Sequence, residues 1–257
     1  MVLHDLLEAI AADTTLNGLQ QLRPPDAAPD VLLWSFDLDC FTHEQVEHLR
    51  ATVLSAGERE RASRWRFQRD ARRYVAGRSV VRRLLGHATA SEPADLVLAD
   101  GEHGKPYLSA FAHLQFNLSH SGHLALLALG TGAALGVDIE LHVPMVDRDA
   151  VARRCFTDSE YNALRSASDP DGAFYTLWAR KEACLKALGS GFSIEPHVFD
   201  AGMQTGLSIT SIPTPDGPRH VRVQSIGLGL AASAAIAWMD EQYATVCRHS
   251  TSPNPTS

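Results

Sequence analysis

The sequence predicts an α+β protein made of two pseudo-equivalent halves, each a long helix packed on a small, mostly antiparallel sheet. One strand, two helices and several strands follow one another in the same order twice along the chain. The long helices of the two halves are predicted to end at Gly86 and Gly189. Each glycine is followed at the same distance by a Glu-Pro pair, at 92–93 and 195–196. We therefore expect a pseudo-twofold axis with a ligand cleft between the halves.

The composition sets the size and the class of the protein. A chain of 257 residues with 45% hydrophobic content can bury a sizeable core, and 21% charged residues argue against wholesale disorder. The net charge of -7 makes nucleic acid a poor partner for the chain as a whole. We expect an N-terminal helix and linker over 1–30, a first half over 31–132, a second half over 133–249 and a disordered tail over 250–257.

The start of the chain and its cysteines indicate a cytoplasmic protein. The N-terminus carries acids and lacks a long apolar run, so it fits neither a signal peptide nor a membrane span. Apolar residues at helical spacing predict a short docked helix: Leu3, Leu6, Leu7 and Ile10. The cysteines are far apart and form no CxxC pair: Cys40, Cys155, Cys184 and Cys247. This spacing predicts reduced thiols rather than a zinc site or a disulfide framework.

The first half begins with a predicted strand, Val31–Asp39, and a helix that Thr42 caps. The later elements follow in order: a helix from Glu44 to Leu54, a second helical region from about Glu58 to Leu85, a strand Leu96–Ala99, a turn Gly101–Pro106 and a strand Leu124–Leu129. In the second half the elements are a strand Leu135–Glu140, a helix near Asp158–Arg165, a long helix from about Gly172 to Leu188 and strands at Val198–Phe199 and Ala231–Trp238.

The most informative feature is an acidic constellation in the second half. Glu182 and Lys186 lie one helical turn apart on the same face, and strand alternation directs Asp138 and Glu140 to one side of their strand. Taken singly, these groups fit a surface ion pair and a solvated strand end. Their apolar neighbours, however, place both elements in the core with the acids at its rim. Three carboxylates and a lysine brought together would suit a divalent metal and a phosphate.

Two further segments offer phosphate donors. Phe116–Gly122 predicts a turn that enters the next strand, and within it Ser119 and His120 could contact phosphates. A nucleophilic serine is not favoured here, because no Gly-x-Ser-x-Gly elbow surrounds Ser119. Lys105 lies between Gly104 and Pro106 in a predicted turn, where we expect its side chain to be exposed.

Arginines are concentrated in one segment of the first half: Arg59, Arg61, Arg64, Arg66, Arg69, Arg72, Arg73, Arg78, Arg82 and Arg83. The intervening acids Glu58, Glu60 and Asp70 make a solvated helix face a sufficient explanation for most of them. In an acidic protein, such a concentration also favours a polyanionic ligand, because arginine forks match phosphate oxygens.

Taken together, these segments resemble the Sfp-type 4'-phosphopantetheinyl transferases. The resemblance rests on six segments in the order and spacing of that family, over roughly residues 31 to 240: Arg73–Gly77, Gly104–Pro106, Phe116–Gly122, Gly136–Glu140, Phe156–Glu160 and Trp178–Lys186. It implies the pseudo-dimeric α+β fold of the family. It also implies transfer of the phosphopantetheine arm of coenzyme A to a serine of an apo carrier protein, with release of adenosine 3',5'-bisphosphate.

The resemblance further implies roles for individual residues. Asp138, Glu140 and Glu182 would hold Mg²⁺ against the coenzyme A pyrophosphate, and Glu182 would also act as base for the carrier serine, directly or through water. Lys186 would contact the phosphate and offset its charge during transfer. The remaining coenzyme A contacts would be Lys105, Ser119 and His120 at phosphates, and Arg61 and Arg73 near the adenosine 3'-phosphate. Glu58 departs from the family pattern, since some relatives carry a cation there.

Other functions stay open at this point. Another Mg²⁺-dependent enzyme acting on a coenzyme A or nucleotide pyrophosphate would share the acids. A non-catalytic module whose basic helix docks an acidic partner or RNA would tolerate loss of Asp138 and Glu182, and its binding would persist in chelator. The implied partners are apo acyl or peptidyl carrier proteins of fatty-acid, polyketide or nonribosomal-peptide synthesis, with no nucleic acid and no membrane. An internal pseudo-dyad would make a monomer sufficient.

Overall fold

The structure is a computed structural model, and it describes residues 3–16, 18–26, 28, 30–189 and 193–239. The predicted tail over 250–257 and Cys247 lie outside these residues. The α-helices are α1 (Leu3–Ala12), α2 (His43–Thr52), α3 (Ala56–Ser63), α4 (Gln68–Thr89), α5 (Arg148–Cys155), α6 (Asp158–Arg165) and α7 (Pro170–Leu188). The strands are β1 (Gln20–Leu22), β2 (Val31–Asp37), β3 (Leu98–Asp100), β4 (Pro106–Leu108), β5 (Leu114–Ser121), β6 (Leu124–Thr131), β7 (Leu135–Leu141), β8 (Ser208–Ile212), β9 (Arg219–Ile226) and β10 (Ala232–Met239).

The chain divides into two compact units. The first contains the chain up to Gly101 together with Pro106–Thr131, and the second contains Glu102–Lys105 and the chain from Gly132 onward. The sheet of the first unit has the order β1-β2-β6-β5, and the sheet of the second has the order β7-β10-β9-β8. Neighbouring strands in both sheets are antiparallel. The predicted α+β fold class is therefore confirmed.

In the first unit, α4 packs on the sheet through large apolar side chains. Val80 and Leu84 are buried in one apolar cluster with Trp34 of β2, Phe116 of β5 and Leu127 of β6. Burying such side chains provides most of the driving force for packing the helix on the sheet.

In the second unit, α7 lies on β7 at much shorter range. A Cβ atom on Gly136 would lie 2.3 Å from the Ala187 nitrogen and 2.4 Å from the Ala183 oxygen, so only glycine fits there. Ala179, Ala183 and Ala187 recur every four residues along α7 and are fully or almost fully buried. Because the missing Gly136 side chain points at α7, alternation directs Asp138 and Glu140 toward α7 as well.

The helical region of the first half was predicted wrongly in two respects. The region from Glu58 to Leu85 is two helices, α3 and α4, separated by residues 64–67. Gly86 does not end α4, which continues to Thr89 and is capped by Ala90 at φ 51°. Gly86 is required by the turn that follows α4 instead, since a Cβ there would lie 2.8 Å from the Ser91 oxygen and 3.1 Å from Pro93.

Two other predicted elements were also wrong. Phe116–Gly122 is not a turn: residues through Ser121 belong to β5, which pairs with β6 along its whole length, and the turn begins at Gly122, at φ 57°. The Asn and Ser residues of this segment are typical of a turn, but its backbone forms hydrogen bonds with β6 instead. The segment predicted as a strand at Val198–Phe199 is also different: residues Pro196–Val198 form a 3₁₀ turn. Pro196 begins this turn, and proline has no N–H that could bond to a neighbouring strand.

Other boundaries differ less. α6 spans Asp158–Arg165 as predicted, and α7 ends at Leu188 with Gly189 in the left-handed conformation at φ 69°. The strand predicted over Leu96–Ala99 begins at Leu98. α5, β1, β4, β8 and β9 were not predicted. None of the helices in the described part of the chain is both long and apolar enough to span a membrane.

Candidate active site

The acidic constellation is assembled where β7 faces α7. Asp138 is only 3% exposed. The ammonium of Lys186 lies 2.5 Å from its Oδ1 atom, across a separation of 48 residues in sequence. A buried carboxylate of this kind needs a nearby cation, because desolvation makes an isolated charge very costly. The structure therefore places the helix lysine, Lys186, in contact with the strand acid Asp138.

Glu182 belongs to the same electrostatic cluster. The pKa of its carboxyl is raised to about 7, chiefly by burial; the charge of Lys186 lowers it, and the negative charges of Asp138 and Glu140 raise it. These influences require all four groups to lie near one another. A carboxylate whose pKa is near neutrality is suited to accept a proton from a hydroxyl group, since catalytic bases work best close to the operating pH.

The side chains as they stand do not form a closed metal cage. Within the described residues, no group of three or more His, Cys, Asp and Glu side chains is arranged so that it could hold a metal ion. The donor chemistry nevertheless fits magnesium, which prefers carboxylate oxygens and commonly takes only one or two of them, completing its shell with water and substrate phosphates. Asp138, Glu140 and Glu182 supply such oxygens in one neighbourhood.

A groove in the first unit offers a different chemistry. Its volume is about 340 Å³. The lining residues are Leu38, Trp65, Asp70, Arg73, Tyr74, Gly77, Arg78, Leu118, His120 and Gly122. Two aromatic rings, two guanidinium groups and an imidazole around one groove suit a ligand that combines an aromatic ring system with phosphate.

The two arginines predicted near the adenosine 3'-phosphate differ in their surroundings. Arg73 makes a fork-like pair with Asp39, at 2.8 Å from Nε to Oδ1 and 2.5 Å from Nη2 to Oδ2. This contact fixes the guanidinium at the edge of the groove and leaves Nη1 for a ligand. Arg61 is exposed, and its guanidinium lies 5.6 Å from the centre of the Tyr74 ring.

Glu58, which departs from the family pattern, has a structural role. It is 8% exposed and closes a capping box with Ser55 at the start of α3. Its carboxylate also bonds Arg78 and, at 2.5 Å, Arg82. Burial alone would raise the pKa of Glu58, but the bonds from Arg78, the Ser55 amide and Arg82 outweigh it and lower the pKa. The Glu58 carboxylate therefore fixes the orientation of Arg78, which lines the groove.

The second unit repeats this arrangement with other residues. Glu160 closes a capping box with Thr157 at the start of α6 and pairs with Lys181 at 2.8 Å, both side chains being 2% exposed. Lys181 also donates to the carbonyl oxygens of Pro196 and Phe199, at 2.7 and 2.5 Å. In each unit, a buried glutamate thus ties a short helix to the long one, which fixes the long helix that carries the site residues.

Ser119 and His120 do not share a surface. They are adjacent on β5, so their side chains point to opposite faces of the strand. His120 is exposed and lines the groove together with Leu118 and Gly122, whereas Ser119 is 6% exposed. The sequence prediction treated both as neighbouring donors in a turn, which the strand conformation excludes for their side chains.

Lys105 is not the exposed turn lysine that the sequence predicted. It is half-buried, and its ammonium donates to the backbone oxygens of Leu135 at 2.7 Å and Lys186 at 2.9 Å. Burial lowers the pKa of Lys105 to about 8. The side chain therefore connects the start of β7 with the last turn of α7.

The groove residues that sequence reasoning missed are Trp65, Tyr74 and Arg78. Tyr74 stands in the segment Arg73–Gly77, which carried part of the family resemblance, and Arg78 stands in the arginine-rich run. Trp65, which is 44% exposed, follows Arg64 in the same run. An exposed aromatic residue among arginines was the available signal for a groove that takes a ring and a phosphate.

The chain is similar in sequence to proteins of one known family. Residues 134–246 match the family model described as the 4'-phosphopantetheinyl transferase superfamily, and residues 42–131 match the model described as 4'-phosphopantetheinyl transferase, N-terminal. The chain is 38% identical over 179 residues to 4'-phosphopantetheinyl transferase HetI of Nostoc sp., covering 66% of this chain and 75% of the relative. It is 34% identical to a 4'-phosphopantetheinyl transferase of Bacillus subtilis, covering 64% and 73%. It is 27% identical to Sfp of the same species, covering 74% and 84%.

Proposed function

The chain belongs to the 4'-phosphopantetheinyl transferase family, and we propose that it acts as an Sfp-type enzyme. It transfers the 4'-phosphopantetheine arm of coenzyme A to a serine of an apo carrier protein, and adenosine 3',5'-bisphosphate is released. The observation that carries the proposal is the cluster of Asp138, Glu140, Glu182 and Lys186 on the facing surfaces of β7 and α7. This cluster combines a base, acidic oxygens and a cation, which phosphoryl transfer requires.

Glu182 is the base of the proposed reaction. Its carboxylate accepts the proton of the carrier serine hydroxyl, and in the absence of metal its pKa is about 7. The serine oxygen then bonds to the β-phosphorus of coenzyme A, and the bond between that phosphorus and the bridging oxygen of the pyrophosphate breaks. The bridging oxygen leaves on adenosine 3',5'-bisphosphate. The proton can pass from the serine hydroxyl to Glu182 directly or through one water.

Lys186 and the strand acids control charge around the transferred group. The ammonium of Lys186, held at 2.5 Å by Asp138, would lie against the phosphate oxygens and offset their negative charge in the transition state. Asp138, Glu140 and Glu182 would hold Mg²⁺, which when bound would polarise the pyrophosphate and make adenosine 3',5'-bisphosphate a better leaving group. In that arrangement the Asp138 carboxylate would contact both Mg²⁺ and the Lys186 ammonium.

The groove of the first unit would bind the adenosine end of coenzyme A. Trp65 and Tyr74 provide ring surfaces for the base, and Arg73, Arg78 and His120 provide donors for the 3'-phosphate. Arg61, which lies over Tyr74, is a further donor. Ser119 and Lys105 remain predicted phosphate contacts from the family resemblance.

An apo carrier protein incubated with the enzyme, coenzyme A and Mg²⁺ tests the proposal. Mass spectrometry should show the carrier gaining the phosphopantetheine mass, and a carrier whose acceptor serine is changed to alanine should stay unmodified. Hydrolysis of coenzyme A without carrier labelling would favour the alternative, another Mg²⁺-dependent enzyme acting on a coenzyme A or nucleotide pyrophosphate. A panel of acyl and peptidyl carriers from fatty-acid, polyketide and nonribosomal-peptide synthesis would identify the partner. We propose that the enzyme works in the cytoplasm as a monomer.

Removal of divalent metal should stop turnover. With chelator present, we expect carrier labelling to fall to background, because three clustered carboxylates then lack the cation that offsets their charge next to a pyrophosphate. Added Mg²⁺ should restore the rate. Calorimetric titration of the metal-free enzyme with Mg²⁺ checks binding directly, and undiminished labelling in chelator would contradict the metal assignment.

Replacement of His120 with alanine should weaken coenzyme A binding more than it slows transfer. We expect the KM for coenzyme A to rise about tenfold with kcat changed by less than about threefold, since a hydrogen bond to a charged phosphate contributes about 1.5–3 kcal/mol. Steady-state kinetics of carrier labelling measure both constants. His113→Ala is the control, because His113 is exposed and lies outside the groove. A fall in kcat with unchanged KM would place His120 in the transition state instead.

A further inference from the structure

The contacts of Lys105 suggest a role that the family resemblance does not assign to it. Its ammonium bonds two backbone oxygens, Leu135 O and Lys186 O, which lie on either side of the close contact between Gly136 and α7. One oxygen belongs to the strand that carries Asp138, and the other belongs to the residue whose side chain pairs with Asp138. A single side chain thus contacts both backbones that define the acidic cluster.

Both oxygens can accept the bond from Lys105. Lys186 lies in the last turn of α7, where a positive charge is favourable, and its carbonyl also accepts the N–H of Gly189, at 3.2 Å, which leaves its second lone pair for the lysine. β7 is an edge strand of its sheet, so alternate carbonyls point away from its neighbour β10. The bond from Met239 N to Ala134 O puts the next carbonyl, that of Leu135, in the outward register. Leu135 is 1% exposed, so water does not replace the lysine easily.

The backbone around Lys105 favours its contacts with the second unit. The strap Glu102–Lys105 belongs to the second unit, although the residues before and after it belong to the first. Gly104 adopts φ 79°, a conformation that favours glycine, and Pro106 fixes the backbone on the other side. The exposed residues of this strap, Glu102 and His103, provide no comparable attachment, whereas Lys105 is half-buried.

We propose that Lys105 is a positioning residue, which ties the end of α7 to the start of β7 and so sets the spacing between Lys186 and Asp138. The proposal rests on the proposed function for its effect on transfer, but not for its effect on the protein itself. Its ammonium has three N–H groups, two of which are used by the carbonyls. Burial lowers the pKa of Lys105 to about 8, so at neutral pH the group is mostly an ammonium and keeps the N–H donors that both carbonyls use.

Lys105→Met keeps the aliphatic stem and removes the donors. In the absence of coenzyme A, we expect faster hydrogen exchange at the amides of the last turn of α7 and a lower unfolding temperature. At saturating coenzyme A we expect kcat to fall at least about tenfold, while the calorimetric affinity for coenzyme A stays within about twofold. Lys105→Arg retains donors for both carbonyls and should recover part of the exchange protection and of kcat. His103→Ala, in the same exposed strap, should behave as the wild type.

A phosphate ligand would give the opposite pattern. Unchanged exchange in ligand-free Lys105→Met would overturn the positioning role, whatever happens to activity. A large loss of coenzyme A affinity with kcat retained would overturn it too and would return Lys105 to the phosphate. If the wild-type protein labels no carrier at all, the proposed function fails, but hydrogen exchange and unfolding still report whether Lys105 holds α7 to β7.

Discussion

Replacing Glu182 with glutamine should lower kcat for carrier labelling at least about a hundredfold and leave the fold intact. The amide has the same shape, but it neither accepts a proton from the serine hydroxyl nor supplies a charged oxygen to a metal. General-base catalysis alone contributes about 10²–10⁴ to the rate. Because Glu182 is half-buried near Asp138 and Glu140, the neutral amide also removes charge repulsion. We therefore expect the variant to unfold at the same or a higher temperature than the wild type.

The kinetic measurement is single-turnover labelling of an apo carrier, followed by mass spectrometry, with thermal unfolding of the same samples. Glu47→Gln is the matched control, because the Glu47 side chain is 51% exposed on α2 and forms only a long ion pair, at 3.8 Å, with Arg50. The control should retain full activity. Near-normal labelling by Glu182→Gln would remove Glu182 from the mechanism, and a fall in unfolding temperature would show that its carboxylate stabilises the fold.

Replacing Gly136 with alanine should destabilise the protein by about 1–3 kcal/mol or more. The added Cβ would lie 2.3 Å from Ala187 N and 2.4 Å from Ala183 O, both backbone atoms of α7. A side chain could change its rotamer to relieve such a clash, but the backbone of a packed strand or helix cannot. α7 must then move away from β7, which also separates Lys186 from Asp138. Transfer activity should consequently fall even in the fraction of molecules that folds.

Urea unfolding measures the loss of stability, and carrier labelling per folded molecule measures the effect on the site. Gly57→Ala is the control, because nothing lies within 4 Å of the added Cβ and Gly57 is the second residue of α3. Alanine in a helix interior is favoured over glycine by about 0.5–1 kcal/mol, so the control should gain stability. Equal stability of the two variants would contradict the close packing of α7 on β7.

Elements with local signals could be predicted from the sequence. α6 begins after Thr157, whose hydroxyl is bonded by the Glu160 amide while the Glu160 carboxylate bonds the Thr157 amide. α7 ends before Gly189, which takes the left-handed conformation that the end of a helix requires. The alternation of β7 and the one-turn spacing of Glu182 and Lys186 were equally local. In these cases the residues within one turn decide the structure.

Features that depend on how the chain folds back on itself could not be predicted. Gly86 has the sequence signal of a helix end, but the chain after α4 folds back so that the Ser91 oxygen lies against Gly86, and Ala90 takes the cap position instead. Lys105 had the signal of an exposed turn residue, and its contacts are carbonyls 30 and 81 residues away. Such contacts depend on which backbones approach each other, and residue types alone do not specify that.

The sequence by itself determined the chemical groups of the site and their local geometry: acids that share one side of β7, and a glutamate and a lysine on one face of α7. Only the tertiary structure decided how these groups are combined. It pairs Lys186 with Asp138, 48 residues away, and it buries Glu182 among the acids so that its pKa rises to about 7. The physical reason is the near-contact of two backbones at Gly136, which brings strand and helix close enough for their charges to act as one cluster.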